Sequence, residues 1–496
     1  KSLSGGACTG SCVALNIFGG QGPDSKYLGD NLWSGSGSIT PEMVNYITFL
    51  AHDTGMNEMK NFGLDVSGEI GNLPGGPVGI AFGYEHRKEE GGFEPDAFIA
   101  AGYSSGNAAS PVSGEFEVDE TYLELAIPVV EGLDLSAAIR YSDYSTFGET
   151  TNAKYGVTWS PNDKITLRAT FAEGFRAPSI GSLFSGNNDS YPDLKDPCDV
   201  YASNFTGNAD GTQTGQCAAD GVPAGFTQPN TQIRVTVGGN PTVQPEESEG
   251  YNFGIIVKPV EGLKIYADYY EIEITNTIST IGSQLILNGC YKENNQKYCS
   301  LIDRLSTGYV KDLRNTTNNI GMVETTGFEV ATVYDWSDEL GNWRFSTEIA
   351  FLDTYDVTKA DGSIEHYAGY VTGNGRDQFK EVKANIGLLW SQNEWAVSLT
   401  GQYHGEVDGV PGTVPKTSAS GEFISGDDPR NLAATWYWDA QASYVWEAIN
   451  STIAVGVDNL LDEDPPYFPD SFANDFDPSY RTWGSQFWYV RISTQY

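Results

Sequence analysis

Six cysteines fall into three local pairs, Cys8 with Cys12, Cys198 with Cys217 and Cys290 with Cys299, each set among Gly, Asn, Asp and Pro. Residues of that company form loops, and cysteines closely spaced in loops point to disulfides made in an oxidising compartment. Closing the Cys198 to Cys217 loop would contribute about 3 kcal/mol against the unfolded chain. Zinc chemistry needs imidazoles or further thiolates beside the pairs, and His52, His86, His366 and His404 stand away from all of them. No metal centre and no cofactor are therefore expected. Asp193, Asp196 and Asp199 flank Cys198 and could help bind a cation, with solvated carboxylates as the plain alternative. Trp33, Tyr191, Tyr201, Tyr309, Tyr367 and Tyr370 fall in loops, where they could stack on a sugar, a catechol or a peptide side chain; ordinary loop packing competes for each. Hydrolysis would need a convergent nucleophile and base. With four histidines and no Gly-x-Ser-x-Gly elbow, the chain is not expected to be an enzyme.

The elements that must carry these loops are strands of an unusual kind. Along Trp436 to Trp446, one face holds Trp436, Trp438, Ala440, Ala442, Tyr444 and Trp446, and the other holds Asp439, Gln441 and Ser443. At a 45° tilt the two aromatic ends stand about 24 Å apart along a membrane normal, the height of an apolar band with its aromatic girdles. A half-buried sandwich strand explains the alternation but not aromatics at both ends with small residues between. Trp395, Val397, Leu399, Gly401 and Tyr403 repeat the pattern against Ala396, Ser398, Thr400, Gln402 and His404. So do Val382, Ala384, Ile386, Leu388 and Trp390; Leu133, Leu135, Ala137, Ile139 and Tyr141; and Phe62, Leu64, Val66 and Ile70. Charge on one face only suits a wall between a wet lumen and lipid.

Composition is consistent with that wall. No apolar run approaches the length of a spanning helix, which leaves barrel strands open because their hydropathy signal is weak. The first residues lack the regions of a signal peptide. A net charge of −38, from 66 acidic and 28 basic residues, argues against a nucleic-acid partner. The acidity is expected to lie in solvated loops.

Short turns, such as those at residues 73–77, 130–132, 160–163 and 392–394, alternate with long connections near 89–113, 175–247, 276–320, 357–377, 406–431 and 459–483. Sorting of this kind belongs to outer-membrane barrels. About fifteen antiparallel strands are expected, from near Lys60 to Tyr496, an odd number that suits part of a barrel rather than a whole one. In a plugged barrel of 22 strands they would be strands 8 to 22. Residues 1–59 would form an external loop, with a short helix capped at Thr40-Pro41-Glu42, running to about Ala51 and striped by Met43, Ile47 and Leu50. Residues 60–496 would form the carboxyl-terminal part of the barrel. Between Leu263 and Ile278 the apolar phase slips after Tyr269, which calls for a bulge or for emergence from the membrane.

Three motifs carry a family resemblance. Gly174-Phe175-Arg176-Ala177-Pro178 closes a hairpin, Asn240-Pro241 with Pro245-Glu246 follows, and Asn459-Leu460 with Asp462 precedes an aromatic last strand ending in Tyr496. Their order resembles the signatures of TonB-dependent outer-membrane receptors. Family members commonly end in Phe, so Tyr496 is a departure. Arg176 is read as tying loop carboxylates together rather than touching substrate. The resemblance implies a Gram-negative outer membrane, long loops outside and short turns in the periplasm. It also implies a plug domain absent from this sequence, contact with TonB and its inner-membrane energising complex, and uptake of a scarce extracellular nutrient. Haem is disfavoured because Phe175 to Asn240 holds no histidine, and anionic siderophores would favour basic loops; an oligosaccharide, a peptide or a neutral metal chelate is expected. A passive porin-like channel is the main rival, with a secreted adhesin behind it.

Overall fold

In a computed structural model, which describes residues 41–199, 216–223, 225–371, 378–408, 431–467, 479–480 and 485–494, the chain is dominated by one antiparallel sheet. Fifteen strands follow one another in sequence order. They are β1 (Thr54–Leu73), β2 (Gly76–Glu94), β3 (Val112–Val130), β4 (Leu133–Tyr144), β5 (Gly148–Asn162), β6 (Ile165–Arg176), β7 (Glu246–Val257) and β8 (Leu263–Thr275). Then come β9 (Met322–Asp338), β10 (Gly341–Thr358), β11 (Val382–Gln392), β12 (Trp395–His404), β13 (Thr435–Trp446), β14 (Ser451–Asp458) and β15 (Phe487–Thr494). A short strand, Ile364–His366, adds to β10 within the connection that follows it. The first strand begins six residues before the expected Lys60, and among the described residues the outer edges of β1 and β15 have no strand partner.

Register confirms the two faces. Directly opposed residues share a face, and Trp390, Val397 and Ala442 lie in one row, as do Leu388, Leu399 and Ala440, then Ile386, Gly401 and Trp438. The row continues from Ala440 to Val457 and Trp488, and from Tyr444 to Ile453 and Ile492. Trp395 and Leu399 are exposed, whereas Gln402 and Asp439 sit half-buried on the opposite, concave face. Aromatic pairs close both ends of the band: Trp395 against Tyr444 and Trp336 against Trp343 at the short-turn end, Tyr403 against Trp436 and Tyr269 against Phe328 at the other.

Connections at one end are tight throughout; those at the other are long, except for residues 145–147 between β4 and β5. β8 pairs without interruption with both neighbours from Ile265 to Thr275, so its change of phase is emergence from the apolar band and not a bulge. The strands run well past the band at the long-loop end. Acidic side chains continue there, on the apolar face's own side of the wall, in addition to those of the loops. Glu249, Glu273, Glu324 and Asp356 stand in direct register across four adjacent strands. Glu173 is next in line, with its carboxylate accepting from the Ala153 N–H at 2.9 Å. Among the described residues no lysine or arginine pairs with Glu249, Glu273 or Glu324, and Asp356 meets only His366.

The helix near the start is shorter than expected. It spans Pro41–Ile47, and Ile47 and Leu50 are exposed instead of packing a stripe. The chain leaves the helix after Thr48, Phe49 meets Phe98 at 5.4 Å, and the His52 N–H donates to Asp96, so side contacts replace the last turn.

Leu399→Arg, at mid-band, should destabilise the wall in lipid vesicles by about 2–4 kcal/mol, whereas Thr400→Arg on the concave face should fold normally. Urea titration followed by heat-modifiable mobility on gels separates them. Because like charges directly opposed repel, Glu273→Gln should stabilise the folded protein by about 0.2–1 kcal/mol, and an unchanged or lower midpoint would contradict the row.

Candidate functional site

The first two motifs meet at the long-loop rim. Arg176, the last residue of β6, donates Nε and Nη2 to the two carboxylate oxygens of Glu246 at 2.5 and 2.6 Å. Glu246 opens β7 and also accepts the Ile278 N–H at 2.6 Å, so one carboxylate joins three segments. Beyond Arg176 the chain turns through Pro178, which is fully buried, into a one-turn helix at Ile180–Phe184 capped by Ser179. The second motif packs on that helix. Gly239 lies so close that a Cβ would stand 2.8 Å from the Ser185 nitrogen and 2.9 Å from the Leu183 carbonyl carbon. The Asn240 N–H bonds the Ser182 carbonyl at 2.8 Å, and its side chain holds Thr242 and Thr317. Phe175 packs on Tyr144 and Phe147. These residues therefore build the rim.

The third motif turns the chain after β14. Asn459 and Asp462 adopt positive φ, 55° and 58°, and the Asn459 side chain brackets Glu463 through both its amide and its carbonyl. Its own N–H bonds Asp439, and the Leu460 N–H bonds the Trp438 carbonyl. Tyr496 lies outside the described residues.

The connections 177–245 and 276–321 fold together into a compact unit. Its core joins Ile233, Val235, Ile286, Leu287 and Leu313, with Cys198–Cys217 and Cys290–Cys299 both disulfide-bonded. The Cys8 and Cys12 pair lies outside the described residues. At the centre, Arg304 donates to both oxygens of Asp196 at 2.7 Å, and their side chains are only 3% and 2% exposed. The same guanidinium reaches the Tyr291 hydroxyl at 2.7 Å, and Tyr291 donates to Asp220. Burial alone would pull the Arg304 pKa down; the hydrogen bonds to Asp196 outweigh it, and the net direction is up. Burial also pushes the Tyr291 phenol well above its ordinary range. Asp196 is therefore a structural anion, not a cation ligand. Asp193 accepts from Thr231 and Asp199 from the Gln228 N–H, and no metal-holding group of three such side chains occurs among the described residues.

Of the sequence-derived aromatics, four lie among the described residues, on two different segments. Tyr191 and Tyr309 are exposed on the loop unit, Tyr309 leaning on Phe226. Tyr367 belongs to a separate hairpin, where its hydroxyl and Lys359 both bond Glu365. Tyr370 follows it and bridges to Asp408. Trp33 and Tyr201 lie outside the described residues. What sequence reading missed is the concave face, where Arg168 pairs with Asp268 at 2.8 and 2.6 Å and Arg140 with Glu120 at 2.8 Å. An open groove of about 580 Å³ runs there, lined by Arg168, Asp268, Glu329, Glu348, Lys383 and Gln402 among others. Alternation marked those residues as polar and said nothing of their pairing.

The description of the TonB-dependent receptor-like β-barrel matches residues 22–460. This chain belongs to the TonB-dependent receptors. Receptors of this family reside in the outer membrane. Among solved structures it resembles a variant of the ferric enterobactin receptor from Pseudomonas aeruginosa in complex with enterobactin, with TM-score 0.57 and 14% identity over 89% of this chain and 54% of that one. It also resembles the siderophore receptor PirA from Acinetobacter baumannii, with TM-score 0.55 and 14% identity over 89% and 55%. PirA from Pseudomonas aeruginosa gives 0.52 and 15% over 88% and 57%. Likeness at this identity shows the fold, and the chain spans just over half the length of each. No curated protein matches the sequence.

Within this receptor, Asp196→Asn would leave the Arg304 charge buried without its partner, a loss of about 3–5 kcal/mol confined to the loop unit. Limited proteolysis should cut 177–321 early while the wall keeps its folded mobility; joint replacement by Asp196→Leu and Arg304→Met should cost less. In the hairpin near Tyr367, burial pushes the Glu365 carboxyl up, but the Lys359 and Tyr367 hydrogen bonds outweigh it and the net direction is down. A lowered carboxylate pKa stabilises above the unfolded value and is lost as pH falls through the folded one. Hydrogen exchange across 359–367 should therefore loosen below the ordinary glutamate range, and Glu365→Gln should abolish that dependence.

Proposed function

We infer that this receptor captures a scarce metal chelate at its long-loop end and imports it through the outer membrane by energised, TonB-dependent movement of a plug. The observation that carries the reading is a braced loop unit on the rim of a two-faced wall, in a chain of this family. Capture of a dilute ligand favours contact surfaces already in their bound form, because ordering them on binding would weaken affinity. The chelate class is favoured over an oligosaccharide or peptide because one structural neighbour is in complex with enterobactin and others are siderophore receptors. In this reading the long loops face outward and the tight turns face the periplasm. A plug and the remaining wall strands occupy the share of the family's length that this chain does not span, and the paired charges of the concave face meet that plug. No observation favours a passive porin-like channel.

Iron-limited cells carrying the intact receptor should accumulate radioactive iron supplied as a chelate. Collapse of the proton-motive force or deletion of TonB should abolish the uptake. Equal accumulation with and without energy would sink the reading.

A further inference from the structure

The ladder between β5 and β6 stops short of the long-loop end. Its last rung there pairs Lys154 with Ala172, whereas β5 stays paired with β4 as far as Gly148, and β6 with β7 as far as Arg176. The opening starts just beyond the aromatic row of Tyr155, Phe171 and Tyr251, whose ring centroids follow one another at 6.5 and 5.0 Å. Aromatic girdles mark the boundary between lipid chains and headgroups, so the opening stands at headgroup level. Glu173 spans it with its carboxylate, which accepts the Ala153 N–H at 2.9 Å.

Where a ladder stops, side chains of both faces can line one cavity. Here a cavity of about 460 Å³ is lined by Glu149, Glu173, Glu249 and Glu273 from the outer face and by Thr150 and Asn152 from the concave one. No lysine, arginine or histidine is among its lining residues. The Thr150 hydroxyl and the Asn152 Nδ2 are buried without a hydrogen-bond partner. The two sets make different demands: the carboxylates call for a cation, and an amide N–H beside a hydroxyl calls for an acceptor. A bare anion meets the second demand and is repelled by the first. A bare cation leaves the amide orphaned. A divalent cation that carries a phosphate oxygen satisfies both. Such cations take about six to eight oxygens, and among the described residues no three acidic, histidine or cysteine side chains converge to hold one. Oxygens from outside the chain must therefore complete the shell.

We propose that the opening between β5 and β6 seats a divalent cation shared with the phosphate of an outer-leaflet glycolipid headgroup. Glu249 and Glu273, directly opposed, supply oxygens to the cation, and Asn152 and Thr150 donate to the phosphate. The headgroup is the source because the cavity continues the lipid-facing surface just past its aromatic row. This goes beyond the import reading and rests on it only for the long-loop end facing outward. Without the cation the opposed carboxylates repel one another; with it they hold the wall together.

The test uses the intact receptor with its plug, reconstituted in phosphatidylcholine vesicles with or without lipopolysaccharide, each in Mg²⁺ or in EDTA. Urea midpoints are read from heat-modifiable mobility. Wild type should gain stability from Mg²⁺ only where lipopolysaccharide is present. The Glu249→Gln, Glu273→Gln double variant should lose that gain, and a midpoint in EDTA no lower than that of wild type establishes that it is folded. Asn152→Leu should match wild type in EDTA and show a smaller gain. An equal gain in the double variant would overturn the proposal, as would no gain in wild type. A gain in phosphatidylcholine alone, from Mg²⁺ with or without inorganic phosphate, would put free ions in place of the headgroup and overturn it too. Protease added to whole cells reports orientation separately. Cleavage within 177–321 together with no Mg²⁺ gain rejects the cation site and leaves import standing; cleavage only after the outer membrane is opened rejects the outward placement that both require.

Discussion

Every backbone donor and acceptor of a strand that crosses lipid must be paired within the protein, since the bilayer offers no water to replace a partner. That requirement makes register rigid. A slip of one residue would turn Asp439, Gln402 and Asp268 toward lipid and bring Leu399 and Val455 into the lumen. The wall accordingly keeps its irregularities out of the apolar band. Register shifts fall between Glu69 and Gly71, Pro128 and Val130, and Trp159 and Asn162, all beside short turns, and between Thr326 and Gly327 just beyond the Phe328 aromatic row. Loops and rim can vary because the band between them does not.

The same constraint explains what could be read from sequence. A period of two sustained between aromatic ends reveals a strand, its span and its faces without knowledge of its partner, so fifteen strands and the sorting of turns are legible. Strand ends were less so. Alternation marks a strand through the band, but β7 to β10 continue past it with carboxylates on the same face. The short helix failed for the opposite reason: a stripe of Met43, Ile47 and Leu50 describes a helix only if something packs on it, and Phe49 found Phe98 first.

Within the loops, local pattern carries little. Cysteine spacing sufficed for Cys198–Cys217 and Cys290–Cys299 because those rings are short. Nothing in the neighbourhood of Asp196 announces Arg304, which lies 108 residues away across a wall hairpin. The core of the unit is likewise assembled from both sides of that hairpin, Ile233 and Val235 from one connection and Ile286, Leu287 and Leu313 from the other. Family motifs bridged part of the gap. Arg176 and Glu246 belong to different signatures, yet they are one bidentate pair, and Gly239 is glycine because the helix after Pro178 leaves no room for a side chain.

That pairing shows how a membrane wall can support a globular unit at its edge. β6 and β7 are neighbours in the sheet, so the long connection between them begins and ends at adjacent positions, and a loop closed by Arg176 and Glu246 starts with its ends already fixed. The β8 to β9 connection is anchored in the same way, and the Glu246 carboxylate ties its start, at Ile278, to the first. Ends fixed in this manner remove much of the entropy that closing two long loops would otherwise cost. The remaining order comes from contacts that no single connection could make alone, including the buried Asp196 and Arg304 pair, which binds one loop to the other. A charge pair buried this deeply contributes little net stability when formed but a large penalty when broken. Its effect is therefore selectivity among arrangements: the two loops can be packed in many ways, and only one of them leaves neither charge alone.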